Sequence, residues 1–244
     1  MRKTMLSLGL LLITLMVGNS ALAQLSTKVT VATNYISRGM SNTSTGSAYN
    51  SAGAPVVQGS LDYQLGDLTA SVFTSACDSL NLNTFTLEKD TEIDYTLNYS
   101  KKIDDWTVGG FVTHYAFMRN EGNATTAWDV NVMWLFARID YLYTSNYAGS
   151  QSSLAYTNLS LFLPISEKVM LSGSMGRSVW GTEANLGMSS YNDQKIGLRM
   201  TMSPTVEGEV AYTNTSGRVD LLFTNEEIKT DKALSFSIST KFDL

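Results

Sequence analysis

The last residues of the chain, ALSFSISTKFDL, alternate. Leu234, Phe236, Ile238, Thr240, Phe242 and Leu244 fall on one side; Ser235, Ser237, Ser239, Lys241 and Asp243 fall on the other. A period of two marks a half-buried strand. The same period runs through TEIDYTLNYSK, where Ile93, Tyr95, Leu97 and Tyr99 oppose Glu92, Asp94, Thr96, Asn98 and Ser100. In VVQGSLDYQL, Val57, Gly59, Leu61, Tyr63 and Leu65 oppose Gln58, Ser60, Asp62 and Gln64. ARIDYLYT, QKIGLRMTM and TVEGEVAYTN put Arg138, Asp140, Lys195, Arg199, Glu207 and Glu209 on their polar sides. Three stretches, LTASVFTSAC, WTVGGFVTHYAF and LSLFLPISEKVMLSGSMG, carry apolar residues on both faces, so strands are placed there by loop spacing.

The connections alternate in length. Short ones fall at Gly66-Asp67, Lys102 to Asp105, near Leu135, Pro164 to Lys168 and Ser203 to Thr205. Long ones, rich in Ser, Asn, Thr and Gly, run from Ser41 to Ala54, Asp78 to Asp90, Arg119 to Thr125, Asn146 to Ser153, Val179 to Ser190 and Ser216 to Lys232. This rhythm, with about twelve strands of about ten residues, predicts an all-β transmembrane antiparallel barrel. An even strand count places both termini on the periplasmic side.

A soluble sheet also alternates, so the pattern needs an orientation. Glu92, Asp94, Glu207 and Glu209 on one face could not sit unpartnered in a soluble core. The apolar face ends in Tyr63, Tyr99, Tyr141, Tyr143, Tyr212 and Phe242, where interfacial girdles belong. A secreted β-sandwich with a wet outer face is the alternative. The closing stretch then reads as the strand that seals the barrel. Phe236, Ile238, Phe242 and Leu244 resemble the signal read by the outer-membrane barrel-assembly machinery, although such chains most often end in Phe rather than Leu.

The start of the chain adds a destination. MRKTMLSLGLLLITLMVGNSALAQ has basic Arg2 and Lys3, an apolar run from Met5 to Val17, and Ala21-Leu22-Ala23. That is the layout of a secretory signal peptide, with residues 1–23 removed and 24–244 forming the barrel. Composition agrees: charged residues are 16%, Tyr counts 12 and Pro only 3. The single Cys77 cannot form an internal disulfide. A formal net charge of −5 argues against nucleic acid as a partner.

One segment carries a family likeness. VTVATNYISRGMSN, then a loop, then APVVQGSLDYQLGDLTASVFTSACDS resembles the opening of the TorF family of outer-membrane porins. The match falls on Tyr35, Arg38, Gly39, Ser41, Pro55, Gln58, Gly59, Ser60, Asp62, Tyr63 and Ser75. The family's aromatic between the Tyr and the Arg is replaced by Ile36-Ser37, and its aspartate by Asn34. The likeness covers the first third of the mature chain. It implies an outer-membrane barrel of Gram-negative bacteria with a pore function.

Candidate chemistry is sparse. Arg38-Gly39 stands where the first strand meets the first long loop. Arg38 could bind an anionic solute or headgroup; the simpler reading, preferred here, is a glycine bend with the arginine snorkelling at the interface. Asp62, Glu92, Asp94, Asp129, Arg138, Asp140, Lys195, Arg199, Glu207 and Glu209 are expected to line the lumen. There they either set ion preference, with the acidic majority favouring cations, or pair among themselves. His114, the one histidine, would be the base of a lipid-cleaving barrel enzyme, but no partner motif accompanies it. Gly109-Gly110 has no phosphate-loop context, and no metal-ligand cluster or cofactor motif is present. The expectation is a non-enzymatic, narrow passive pore for small hydrophilic solutes or ions, in contact with outer-membrane lipid. A lipid-acting enzyme and a non-conducting adhesin or structural barrel stand as alternatives.

Overall fold

The computed structural model describes residues 23–38, 40–42, 54–81, 86–181, 190–216, 219–220, 227–228 and 232–244. Twelve strands close into one antiparallel barrel. They are β1 (Ala23–Ala32), β2 (Val56–Leu65), β3 (Leu68–Asn81), β4 (Thr86–Ile103), β5 (Trp106–Phe117), β6 (Thr125–Trp134), β7 (Ala137–Thr144), β8 (Leu154–Pro164), β9 (Val169–Trp180), β10 (Tyr191–Thr201), β11 (Val206–Ser216) and β12 (Lys232–Asp243). Each strand pairs with its neighbours in sequence, and β12 pairs with both β11 and β1. Among the described residues there is no α-helix, only single 3-10 turns at Glu121–Asn123 and Tyr147–Gly149. Most of the signal-peptide expectation, residues 1–22, lies outside the described residues.

The barrel is apolar outside and polar inside. Val31, Val57, Leu97, Trp128, Val130, Ile139, Met175, Ile196 and Phe236 are among the large side chains left exposed on its outer face. Ser75, Asp94, Thr113, Asp129, Thr144, Ser160, Ser178, Asp193 and Thr213 are buried on the inner one. A soluble sheet would turn the other way. The period-two segments divide as their sequences predict: Glu92 and Asp94 face inward, and Ile93 and Tyr95 face outward.

In the mixed segments aromatic residues go inside. Phe73 stands beside Asp94 in register, Phe111 beside Asn98, and Tyr115 beside Asp94. These rings occupy space in the lumen, which is why both faces of β3 and β5 look apolar in sequence. One expected loop is largely strand. Residues 78–90 continue the β3–β4 hairpin to Asn81 and Thr86. Polar residues there pair across the hairpin: Lys89 Nζ lies 2.7 Å from Asp78 Oδ1, and Ser79 donates to Asp90 at 2.8 Å.

At the opposite end the turns are tight. Gly66, Asp104 and Leu135 each open a two-residue connection at positive φ, the geometry that matches strand twist in a hairpin. Ala23 and Leu244 both lie at this short-turn end, where the Leu244 amide donates to the Leu25 carbonyl at 2.9 Å.

Candidate functional site

All ten charged residues singled out from the sequence lie on the inward register. Eight sit in the middle or the short-turn half, and most of the charge there is matched. Arg138 binds Asp140 through its head at 2.5 Å and its Nε at 2.7 Å. Lys195 and Arg199 both reach Glu209, at 2.5 and 3.2 Å. Asp62 accepts from Ser60 at 3.1 Å. Asp129, midway along β6, accepts from Asn131 at 3.0 Å. Glu92 and Asp94 lie higher, toward the long loops.

The loop end of the lumen holds the feature that sequence reasoning misplaced. Arg38 does not snorkel at the membrane edge. The chain leaving β1 folds inward as a small hairpin in which Ile36–Ser37 pairs with Met40–Ser41. Its base is fixed: Thr33 bonds Phe236, the Asn42 amide donates to the Tyr35 carbonyl at 2.6 Å, and the Asp78 amide donates to the Asn42 carbonyl at 2.7 Å. The Tyr35 ring packs 6.1 Å from that of Phe73, centroid to centroid. Its hydroxyl meets Glu92. Burial, and then the charges of Glu92 and Asp94, push that hydroxyl well above its ordinary range, so it remains a neutral donor.

Arg38 stands at the tip, at φ 48°, a left-handed conformation that costs a side-chain-bearing residue on the order of 1 kcal/mol. Three walls hold it there. The Tyr191 hydroxyl, on β10, donates to the Arg38 carbonyl at 3.0 Å. The guanidinium lies 5.8 Å over the Tyr147 ring. The guanidinium also interacts with the hydroxyls of Tyr147 and of Tyr115, on β5. Strands β5 and β10 are five apart in a ring of twelve, so the arginine reaches almost across the lumen. Tyr147 in turn meets Trp180 edge-on at 4.9 Å. On the far wall Tyr156 donates to Asp193 at 3.2 Å. Arg38 Nε, Asp94 Oδ1, Trp180 Nε1 and Asp193 Oδ2 are buried with no hydrogen-bond partner among the described residues.

Asp193 and Tyr191 were within reach of the sequence. Extending QKIGLRMTM upstream by the same period puts both on the face of Lys195. Tyr147 and the inward fold of residue 38 carry no periodic signal, because both lie in loops. Of the other motif residues, Gln58 donates to Ser75 at 3.2 Å inside the barrel. Gly59 faces outward, Ser60 faces inward and Pro55 precedes β2. Ser41 lies in the hairpin, and Gly39 is outside the described residues. Phe236, Ile238, Phe242 and Leu244 are exposed on the outer face or at its rim.

His114 also points outward, in register with Tyr95 and Thr126. Its Nδ1 lies 3.0 Å from Thr126 Oγ1. Among the described residues no carboxylate or amide is seen to orient the ring from its other side. Gly109 and Gly110 serve close strand packing: a Cβ on either would meet a neighbouring strand's carbonyl oxygen at 2.6 Å. Among the described residues no group of His, Cys, Asp and Glu could hold a metal ion. Cys77 is a buried free thiol.

A family described as a bacterial protein of unknown function, Gcw_chp, matches residues 17–242. No curated protein matches the chain. Among solved structures, the NanC porin is similar at a TM-score of 0.57 and 13% identity, covering 90% of this chain and 100% of its own. An outer-membrane channel from Pseudomonas putida F1 is similar at a TM-score of 0.53 and 8% identity, covering 93% and 97%. At such identities the likeness is one of fold.

Proposed function

The chain belongs to the Gcw_chp family of bacterial proteins, and we propose that it is an outer-membrane barrel acting as a narrow passive channel for small hydrophilic solutes or ions. The observation that carries this reading is the inside-out barrel: a closed ring with an apolar outer surface and a charged interior. Open sheet edges do not survive in hydrocarbon, and closure leaves none. Two proteins of similar fold, a porin and an outer-membrane channel, support the same reading. The opening motif, residues 35–75, adds its resemblance to the TorF porins.

The finer parts of the proposal rest on chemistry. Residues 1–23 act as the export signal, and the short turns and both termini face the periplasm. The assembly machinery reads Phe236, Ile238, Phe242 and Leu244. The ten inward charged residues line the pathway. Glu92, Asp94 and Asp193 near the mouth bias it toward cations, since the basic groups deeper in are paired with Glu209 and Asp140. No enzymatic step is assigned.

Single-channel recording in a planar bilayer under a salt gradient tests this. Discrete steps are expected, with a reversal potential of the sign set by cation flow. A folded barrel that never conducts would overturn the channel reading. A reversal potential of the opposite sign would overturn the cation bias alone.

A further inference from the structure

We propose that the hairpin after β1 is the constriction of this channel and that Arg38 is the residue that sets its opening and its charge preference. The inference rests on the channel reading above and adds a role for the hairpin and for Arg38, to which that reading assigns none. Three observations carry it.

First, the hairpin lies inside the barrel and not over it. Its partners, Phe73, Glu92, Tyr115 and Tyr191, all belong to the inward faces of barrel strands. Second, Arg38 touches strands five apart in the ring, so its backbone and side chain together divide the mouth. A guanidinium is always charged and carries five donors in a rigid fork. Every solute crossing this level passes beside it. Third, the surrounding charge is opposite. Glu92, Asp94 and Asp193 all lie within electrostatic reach of Arg38. With the arginine present the constriction carries both signs. Without it the same ring is acidic.

The buried polar atoms around the tip fit a segment that can withdraw. Arg38 Nε, Trp180 Nε1, Asp94 Oδ1 and Asp193 Oδ2 have no partner among the described residues while the hairpin is inside. Unpaired buried groups raise the free energy of the state that buries them. The left-handed backbone at Arg38 does the same. The occluded mouth is therefore held by a few specific bonds.

The test is conductance and reversal potential of the wild type, Arg38→Ala, Arg38→Lys and Tyr191→Phe. The retained mobility of folded barrel on unheated gels confirms that each variant is assembled. Arg38→Ala is expected to raise unit conductance at least about twofold and to move the reversal potential toward that of a purely cation-selective pore. Arg38→Lys keeps the charge, so its reversal potential is expected to stay near the parent's even if conductance rises. Tyr191→Phe frees the tip from the far wall and is expected to raise conductance without moving the reversal potential. Conduction by Arg38→Ala alone, with a silent parent, would support the proposal as well. If the parent conducts and Arg38→Ala matches it in both quantities, the constriction is elsewhere and the channel reading stands. If the parent and all three variants are folded and silent, both readings fall.

Discussion

Asp90 is the residue on which the outer rim between β4 and β5 is organised. Its two oxygens accept from the Ser79 hydroxyl at 2.8 Å and from the amides of Thr91, Arg119 and Asn120 at 2.7, 2.9 and 3.1 Å. The last two bonds come from the connection that follows β5, so one carboxylate ties two hairpins together. Hydrogen bonds to an ionised group contribute about 1.5–3 kcal/mol each before the cost of ordering the chain. Arg119 is itself exposed, and its peptide bond is held back from a protease mainly by this order. Asp90→Ala is therefore expected to make the folded barrel cleavable by trypsin after Arg119, with Asp90→Asn intermediate. Equal digestion rates for parent and Asp90→Ala would show the rim to be held by other contacts. A second residue-scale test concerns Gly176. A Cβ there would collide with Tyr156 Oη and lie 2.5 Å from Asp193 Oδ2. Gly176→Ala should separate that pair and destabilise the barrel by about 1–3 kcal/mol, measured by urea unfolding in lipid.

At the scale of elements, β12 decides whether the barrel closes. Its last residues pair with the first part of β1, Phe242 with Thr27 and Asp243 with Ser26, while its middle pairs with β11. Removing Phe242 to Leu244 would leave β1 residues 25–27 without partners on one side, an open edge with unsatisfied backbone groups that a bilayer would not accept. The truncated chain is expected to give little or no heat-modifiable folded barrel. Normal amounts of folded protein would overturn that view of the terminal strand. The alternation that makes β12 readable in sequence is the same property that made β4, β7, β10 and β11 readable: one side belongs to the apolar outer surface and the other to the polar lumen. The site was less legible for the same physical reason. Where the lumen is filled by rings, as at Phe73, Phe111 and Tyr115, the contrast between faces disappears. Where the chain folds inward without pairing to the barrel, as at Arg38, no period exists to read. The polar letters of residues 78–90 misled in the opposite direction, since cross-strand ion pairs make as good a hairpin as apolar ones.

For the molecule as a whole the question is which solvent its outer surface meets. Rings gather toward the short-turn end of that surface: Tyr99, Trp106, Trp134, Phe136 and Phe242 are exposed there, and the two tryptophans stand 6.0 Å apart. Above them runs an apolar band with Val130, 62% exposed, near its middle. In water such a position is nearly free to vary, and a surface substitution shifts stability by no more than about 0.5 kcal/mol. At the midplane of a bilayer, an arginine on the lipid face of a barrel costs about 2–4 kcal/mol. Val130→Arg separates the two cases. Its flanking partners across the sheet are Gly110 and Tyr141, neither of which offers a counter-charge. Equilibrium unfolding in phospholipid vesicles is expected to show a loss in that larger range. Gln64→Arg, at an exposed inward position of the short-turn end, should cause little. Equal, small effects at the two positions would mean that the band meets water, and would restore the secreted sheet with a wet outer face as the better account of this barrel.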